Sequence, residues 1–278
     1  MRSSIVEHLE PEFEPVAVVW SDEIPDGAIE FKEGRFCCIL NLFAEASLKE
    51  RVAGGSRDSV ACPGGRAALG FGVGFVESDA RLDHASVLFS KGLAVASDRE
   101  AFRKKMESVR ASWRPLYEYG ERRHRNPDMA REWITSCLPR YDIPHRYVLF
   151  KPLRHTDAGE DIRAVIFPVS PLELAGLVTL LGSVVGGVDP VHVPQGADCF
   201  GLGCFAYDQY EAESPRAVLG MLGVDGREVM QRRFHDDTLT LTVPMPLFLR
   251  MEAEAGDSVL TIPGWTALRG SNDCEVQQ

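Results

Sequence analysis

The chain has 278 residues, 45% of them apolar, and a formal net charge of −11. That is apolar material for a sizeable core in about one large or two small domains. The acidic balance opposes a phosphate backbone, and no stretch reaches the ~18 uninterrupted apolar residues of a membrane helix, so neither nucleic acid nor membrane is an expected partner.

The opening MRSSIVEHLEPEFEP is acidic and carries no apolar run of signal-peptide length; residues 1–14 read as an extension on a cytoplasmic protein. PVAVVW, from Pro15 to Trp20, is a dense β-branched run and reads as a buried strand. From Cys38 to Arg51 apolar residues fall at 39, 42, 43 and 46, a helical spacing that Gly54-Gly55 is expected to end. VACPGGRAALGFG, residues 60–72, places Cys62 directly before Pro-Gly-Gly-Arg at the start of a small-residue helix.

A polar helix is expected from Asp98 to about Val109, and NPDMAREWITSCL predicts another, capped by Asn126 and carrying Cys137 on an apolar face. Between Arg103 and Arg131, Arg and Lys interleave with Trp113, Tyr117 and Tyr119; this is either a solvated helical face or a contact for an acidic partner. RYVLFKPL (146–153) and RAVIFPV (163–169) read as consecutive strands across a polar turn. Next, Ser170, Pro171 and Glu173 form a capping-box signature for a helix that Gly186-Gly187 closes.

DPVHVPQGADC predicts a short strand and a loop that delivers Cys199, and SPRAVLGML repeats the Ser-Pro start. Residues 238–243 alternate as a strand and lead through two prolines into a helix. Strands and helices interleave throughout, so the expected fold is α/β or α+β: a single compact unit, residues 15–269, with a mixed β-sheet, flanking helices and a polar tail at 270–278.

Several standard chemistries are missing. The phosphate loop Gly-x-x-x-x-Gly-Lys-Ser/Thr, His-Glu-x-x-His and Gly-x-Ser-x-Gly are absent, and the glycines of GFGVGF (70–75) lack dinucleotide-fingerprint spacing. Carboxylates abound, but no pair is singled out as acid and base. His84 and His192 flank strand-like segments and read either as structural histidines or as ligands and proton carriers.

Cysteine is the more informative residue. Seven occur, at 37, 38, 62, 137, 199, 204 and 274, an odd count with no Cys-x-x-Cys pair, which disfavours a disulfide framework, a zinc ribbon and a thioredoxin-type dithiol. Each alone is read first as a small buried hydrophobe. Cys62 has a second reading: a thiol at a helix start faces unpaired N–H groups, which favours the thiolate that binds metals and attacks electrophiles. Gly64, Gly65 and Arg66 complete a candidate anion or cofactor cradle, with Arg66 either holding an anion or pairing with a surface carboxylate.

EPVAVVW, the cysteine before ILNLFAEA, CPGGRAALGFG, YVLFKPL, the Ser-Pro-Leu-Glu-Leu helix, GADC, PRAVLGMLGVDGRE, LTLTVPMPLFLRM and DSVLTIPGW together resemble, in order, the domain of unknown function family number 169, from about Pro15 to Trp265. The resemblance implies no settled activity. It implies one cysteine at the first helix, one before Gly-Gly and one in the later Gly-Ala loop: here Cys38 or its neighbour Cys37, Cys62 and Cys199. Some members carry Gly-Cys-Asp-Gly-x-Arg where this chain has Val224, so a ligand there is absent and Cys204 is the candidate substitute.

Three functions follow as expectations. The first is a metal site of Cys38, Cys62 and Cys199, with Cys204, holding an iron–sulfur cluster or another thiolate-bound metal for redox or cofactor-related chemistry with a redox partner protein. Arg66 would then balance cluster charge or orient an anionic substrate. The second is a cofactor-free enzyme with Cys62 as nucleophile and Arg66 beside it. The third is a non-catalytic binder of a small anionic ligand at the Gly-Gly-Arg helix start.

Overall fold

The structure, a computed structural model, describes residues 1–32, 37–72, 74–109 and 111–270. Eight strands form one mixed sheet: β1 (Val16–Ser21), β2 (Ile29–Glu30), β3 (Ala53–Ser56), β4 (Tyr147–Pro152), β5 (Asp161–Val169), β6 (Val191–His192), β7 (Ala217–Gly220) and β8 (Leu239–Pro244). Their order is β2-β3-β4-β1-β5-β8-β7-β6. The outer pairs β2–β3 and β6–β7 are parallel and the rest antiparallel. β4 and β5, consecutive in sequence, do not pair; β1 lies between them, with Val18 opposite both Phe150 and Ala164.

The helices are α1 (Ser4–Leu9), α2 (Leu40–Lys49), α3 (Pro63–Ala68), α4 (Asp79–Leu88), α5 (Arg99–Glu107), α6 (Arg114–Tyr119), α7 (Pro127–Glu132), α8 (Pro171–Val185), α9 (Cys204–Tyr210), α10 (Val224–Met230), α11 (Met245–Glu254) and α12 (Pro263–Gly270). The α/β class, the mixed sheet and the flanking helices are as the sequence predicts. The chain folds as two units: residues 1–69 with 143–278, which contain the whole sheet, and residues 70–142. The expected undivided span 15–269 is thus interrupted at Gly70.

β4 is buried along its entire length and β1 from Val16 to Trp20, which is why both read as continuous apolar runs. On one face, Val165, Phe167, Leu241 and Val243 meet Leu177, Leu181, Phe248 and Trp265 of α8, α11 and α12. On the other, Trp20 meets Tyr207 of α9 edge-on, 5.0 Å between ring centroids. Residues 1–14 are no loose extension: Ile5 and Leu9 of α1 are fully buried in the first core, and the Ser4 N–H donates to Glu252 at 2.7 Å.

Residues 70–142 form a helical unit in which Leu82, Ala85 and Phe89 of α4 and its following residue pack on Ala130 and Ile134. Asn126 caps α7 as predicted, and Asp98, the expected start of the polar helix, caps α5. Cys137, expected on an apolar helix face, ends a turn of π-helix and is exposed. In the basic stretch, Arg123 pairs with Glu121 and Arg131 with Asp83.

Two local readings are corrected. Gly54 and Gly55 do not end α2; Glu50 does, in a left-handed conformation (φ 54°), and the glycines lie in β3. The second Ser-Pro, at 214–215, opens no helix: it lacks the glutamate of a capping box, and Ala217–Gly220 is drawn into the sheet between β6 and β8. Cys274 and the tail from 271 lie outside the described residues.

At α8 the capping box is complete: the Glu173 N–H donates to the Ser170 hydroxyl at 3.3 Å and the Ser170 N–H to the Glu173 carboxylate at 2.6 Å. The other oxygen of Glu173 accepts from the Glu12 N–H at 2.9 Å, so this cap also holds the N-terminal segment. Ser170→Ala is expected to cost about 1 kcal/mol of stability in a urea unfolding titration, with no change in thiol reactivity.

Candidate functional site

Three loops of the first unit carry Cys38, Cys62 and Cys199. Cys38 stands two residues before α2; its carbonyl accepts from the Asn41 N–H at 2.9 Å and from Asn41 Nδ2 at 3.1 Å. Asn41 is oriented in turn by Arg233, whose Nη2 donates to Asn41 Oδ1 at 2.6 Å. Asn41 Nδ2 also lies 3.6 Å from the sulfur of Cys37, which points that side chain at Asn41.

Cys62 is the N-cap residue of α3. A Cβ on Gly65 would stand 2.9 Å from Ile39 Cγ2 and 3.3 Å from Val60, so only glycine lets α3 settle against the residue that follows Cys38. Cys199 opens the 3-10 turn Phe200–Leu202. The loop ahead of it is pinned: the Met221 N–H donates to the Ala197 carbonyl at 3.3 Å, and the Gly223 N–H donates to buried Asp198 at 2.8 Å.

The three thiols form one interacting group. Cys38 and Cys199 act on each other's acidity, Cys62 acts electrostatically on Cys199, and Cys38 does so on Cys62. All three residues are half-buried. Their principal charged neighbours are carboxylates: Asp225, at the start of α10, acts on all three, and Asp198 on Cys38. The pocket is therefore acidic, not the guanidinium-lined pocket the sequence suggests. The Arg66 side chain, in the last turn of α3, has no ion-pair or hydrogen-bond partner among the described residues and is not one of the principal charges on the thiols.

The thiols divide in acidity. Cys38 is held below the ordinary thiol range because the Cys199 thiol and the Leu40 N–H both donate to it, which outweighs burial and the carboxylates. Cys199, as donor to that anion and buried, is raised well above the ordinary value. Cys62 is pushed up to about 11, chiefly by burial. This corrects the expectation of a Cys62 thiolate: the N–H groups of Gly64 and Gly65 face its sulfur and offset part of the cost, but none closes a full capping hydrogen bond, and α3 has only six residues. Those two amides, expected to cradle an anion or cofactor, are turned to the protein's own sulfur.

Cys204 is fully buried, and its thiol donates to the Ala67 carbonyl at 2.9 Å. That bond ties α9 to α3. Val224, where the resemblance implies a further cysteine in some members, is the residue before Asp225 and is 61% exposed. His84 packs with Phe102 and Tyr117, and His192 lies 3.4 Å from Arg216; burial lowers both from the ordinary imidazole value, and both suit structural roles. Among the described residues, no three His, Cys, Asp or Glu side chains are arranged to hold one metal ion. Sequence reasoning missed Asp198 and Asp225, whose only signal is adjacency to Cys199 and to the position of Val224.

Fold and site together define an α/β protein whose sheet-bearing unit carries three electrostatically coupled cysteines on separate loops. The chain belongs to the uncharacterised ArCR family, domain of unknown function 169, whose sequence profile matches residues 4–254. No curated protein and no solved structure matches it. Among the described residues no helix is long and apolar enough to cross a membrane.

Two outcomes test this geometry. In an alkylation series against pH, Cys38 is expected to be the fastest of the three at neutral pH, with Cys62 slower than an ordinary thiol by roughly two orders of magnitude, since about 11 lies well above the usual ~8.5. Because the Cys199 hydrogen bond lowers Cys38, Cys199→Ala should move its inflection to higher pH, while Cys199→Ser retains a donor and much of the reactivity. Separately, a Cβ on Gly203 would lie 2.0 Å from the Ala68 carbonyl oxygen, so Gly203→Ala is expected to cost about 3 kcal/mol in urea unfolding and to level the thiol reactivities.

Proposed function

We propose that Cys38, Cys62 and Cys199 hold an iron–sulfur cluster or a related soft, thiolate-bound metal group that serves redox or cofactor-related chemistry. The observation that carries this reading is the convergence of three thiols from three distant segments into one interacting group. Thiolate is the donor such groups prefer, and N–H groups directed at the sulfurs, here from Leu40, Gly64 and Gly65, are a recurrent means of tuning them.

When bound, such a group supplies electron transfer or a Lewis-acidic metal position. The protein's own part is to keep Cys38 ready as thiolate, to exchange the Cys199–Cys38 hydrogen bond for bonds to metal, and to leave one coordination position without a cysteine. A small anionic substrate or a redox partner protein is what that open position calls for.

A second reading is favoured by the shift of Cys38 to below the ordinary thiol pKa range: cofactor-free thiol chemistry with Cys38, not Cys62, as nucleophile. The anion-binding reading loses its basis, because the Gly64 and Gly65 amides face the Cys62 sulfur.

Anaerobic purification followed by visible absorption, iron and acid-labile sulfide analysis separates these. Broad visible absorbance with several irons per chain, lost in Cys38→Ser and Cys62→Ser and kept in Cys137→Ser, is the expected result. A protein that stays colourless and metal-free after incubation with ferrous iron and sulfide would refute the metal reading.

A further inference from the structure

The helical unit of residues 70–142 holds two histidines that the thiol site does not use. His84 of α4 packs against Phe102 of α5 and Tyr117 of α6, with ring centroids 4.9 Å and 5.5 Å away. His124 is buried and lies 5.3 Å from Trp133, whose ring meets that of Phe89 edge-on at 5.7 Å. In both histidines Nε2 is covered by protein and has no hydrogen-bond partner among the described residues. The charged groups acting on them are cations, Lys105 of α5 on His84 and Arg123 on His124, and Arg123 is itself paired with Glu121. Both rings sit where the chain around α4 is held. His84 meets its α5–α6 cover, and His124 ends a strap bonded along the last residues of α4 and the turn beyond. The Glu121 N–H donates to the Leu88 carbonyl at 2.8 Å, the Arg122 N–H to that of Ser90 at 2.9 Å and the His124 N–H to that of Phe89 at 3.1 Å.

We infer that residues 70–142 are an acid-sensitive unit: in mild acid His84 and His124 take up protons, and the strap and the α5–α6 cover come away from α4 while the sheet-bearing unit stays folded. A protonated imidazole carries a second N–H that needs an acceptor, and burying its charge beside another cation adds to the cost. Burial and those cations already hold both rings below the ordinary imidazole value. In the opened chain the rings return to that value, about 6.5. The open form then binds more protons, so stability that is complete above this pH is lost as pH falls through it. At pH 5.0 each ring kept neutral by the fold makes opening up to ~30-fold more frequent than at pH 7.5. Opening uncovers Leu82, Ala85 and Phe89, which pack on Ala130 and Ile134 in the closed unit. The sheet-bearing unit meets acid differently. His145 Nδ1 lies 3.2 Å from Asp22 and His235 Nε2 2.7 Å from Glu12, so a carboxylate stands ready for each protonated ring, and at His192 the carboxylates of Asp189 and Asp208 offset part of the effect of Arg216.

The test is hydrogen–deuterium exchange of the full chain at pH 7.5 and 5.0, resolved by peptide and corrected for the intrinsic exchange rate at each pH. Protection over residues 82–90 and 121–134 is expected to fall by about tenfold or more at pH 5.0, while β1, β4 and β5 keep theirs. The double variant His84→Phe with His124→Phe keeps two aromatic rings and removes both protons, so most of that fall should disappear. Proton NMR of the wild-type chain reads the same property without a substitution: of seven imidazole signals, those of His84 and His124 should stay neutral below the ordinary value until the unit opens. Full protection of the unit at pH 5.0, equal loss in the sheet, an undiminished fall in a folded double variant, or ordinary titration of both rings in the closed unit would overturn it.

Discussion

The site hangs on how closely residues 203–204 approach the end of α3. Gly203 lies so near the Ala68 carbonyl that any side chain would collide with it, and one residue on the Cys204 thiol donates to the preceding carbonyl, that of Ala67. Helix ends leave such carbonyls without intrahelical donors. Here the Gly-Cys pair docks on them and fixes the turn that carries Cys199 against the helix that begins with Cys62. At the other end of the same helix, Gly65 admits Ile39 and with it the loop of Cys38. A six-residue helix, contacted at both ends by chain from distant parts of the sequence, is the piece around which three sulfurs meet.

Given that frame, the electrostatics of the pocket follow from competition between burial and hydrogen bonding. Each thiol pays for desolvation in its charged form, and the carboxylates of Asp225 and Asp198 add to that cost. Only Cys38 receives donors strong enough to reverse the balance, and one of them is another thiol. The sulfur beside the Gly-Gly motif, the more conspicuous in sequence, is the less acidic because its amide neighbours do not close full hydrogen bonds. Position at a helix start is therefore a poor guide to acidity when the helix is short and the thiol is covered.

What was legible in the sequence divides along the same line. Local signals held: Ser170 and Asn126 cap the helices they were expected to cap, the helix expected from Asp98 forms, and the apolar runs at 16–20, 147–152 and 163–169 are strands. Signals set by partners distant in sequence did not. Ala53–Ser56 contains two glycines and joins the sheet only because β2 and β4 pair with it, and Ala217–Gly220 follows a helix-like Ser-Pro start yet lies between β6 and β8. The grouping of Cys38, Cys62 and Cys199 was available from resemblance to a family, not from spacing. The docking of Cys204 on Ala67, the carboxylates near the thiols and the division at Gly70 needed three dimensions, since each depends on which parts of the chain meet.

Unequal proton affinity also gives the pocket an order of events. With Cys38 held more acidic than Cys199 and Cys62, an arriving electrophile meets the most readily ionised sulfur first. Engaging Cys38 removes the negative charge that Cys199 was hydrogen-bonded to and that raised its own acidity range, so Cys199 is freed to ionise and follow. Cys62 feels the charge of Cys38 as well, but its main obstacle is burial, which that first step does not relieve; it comes last. Three thiols of equal acidity would lack this sequence. The pocket's asymmetry, one thiolate served by one thiol and backed by a reluctant third, is thus a property of the hydrogen-bond pattern and would persist whichever electrophile it meets.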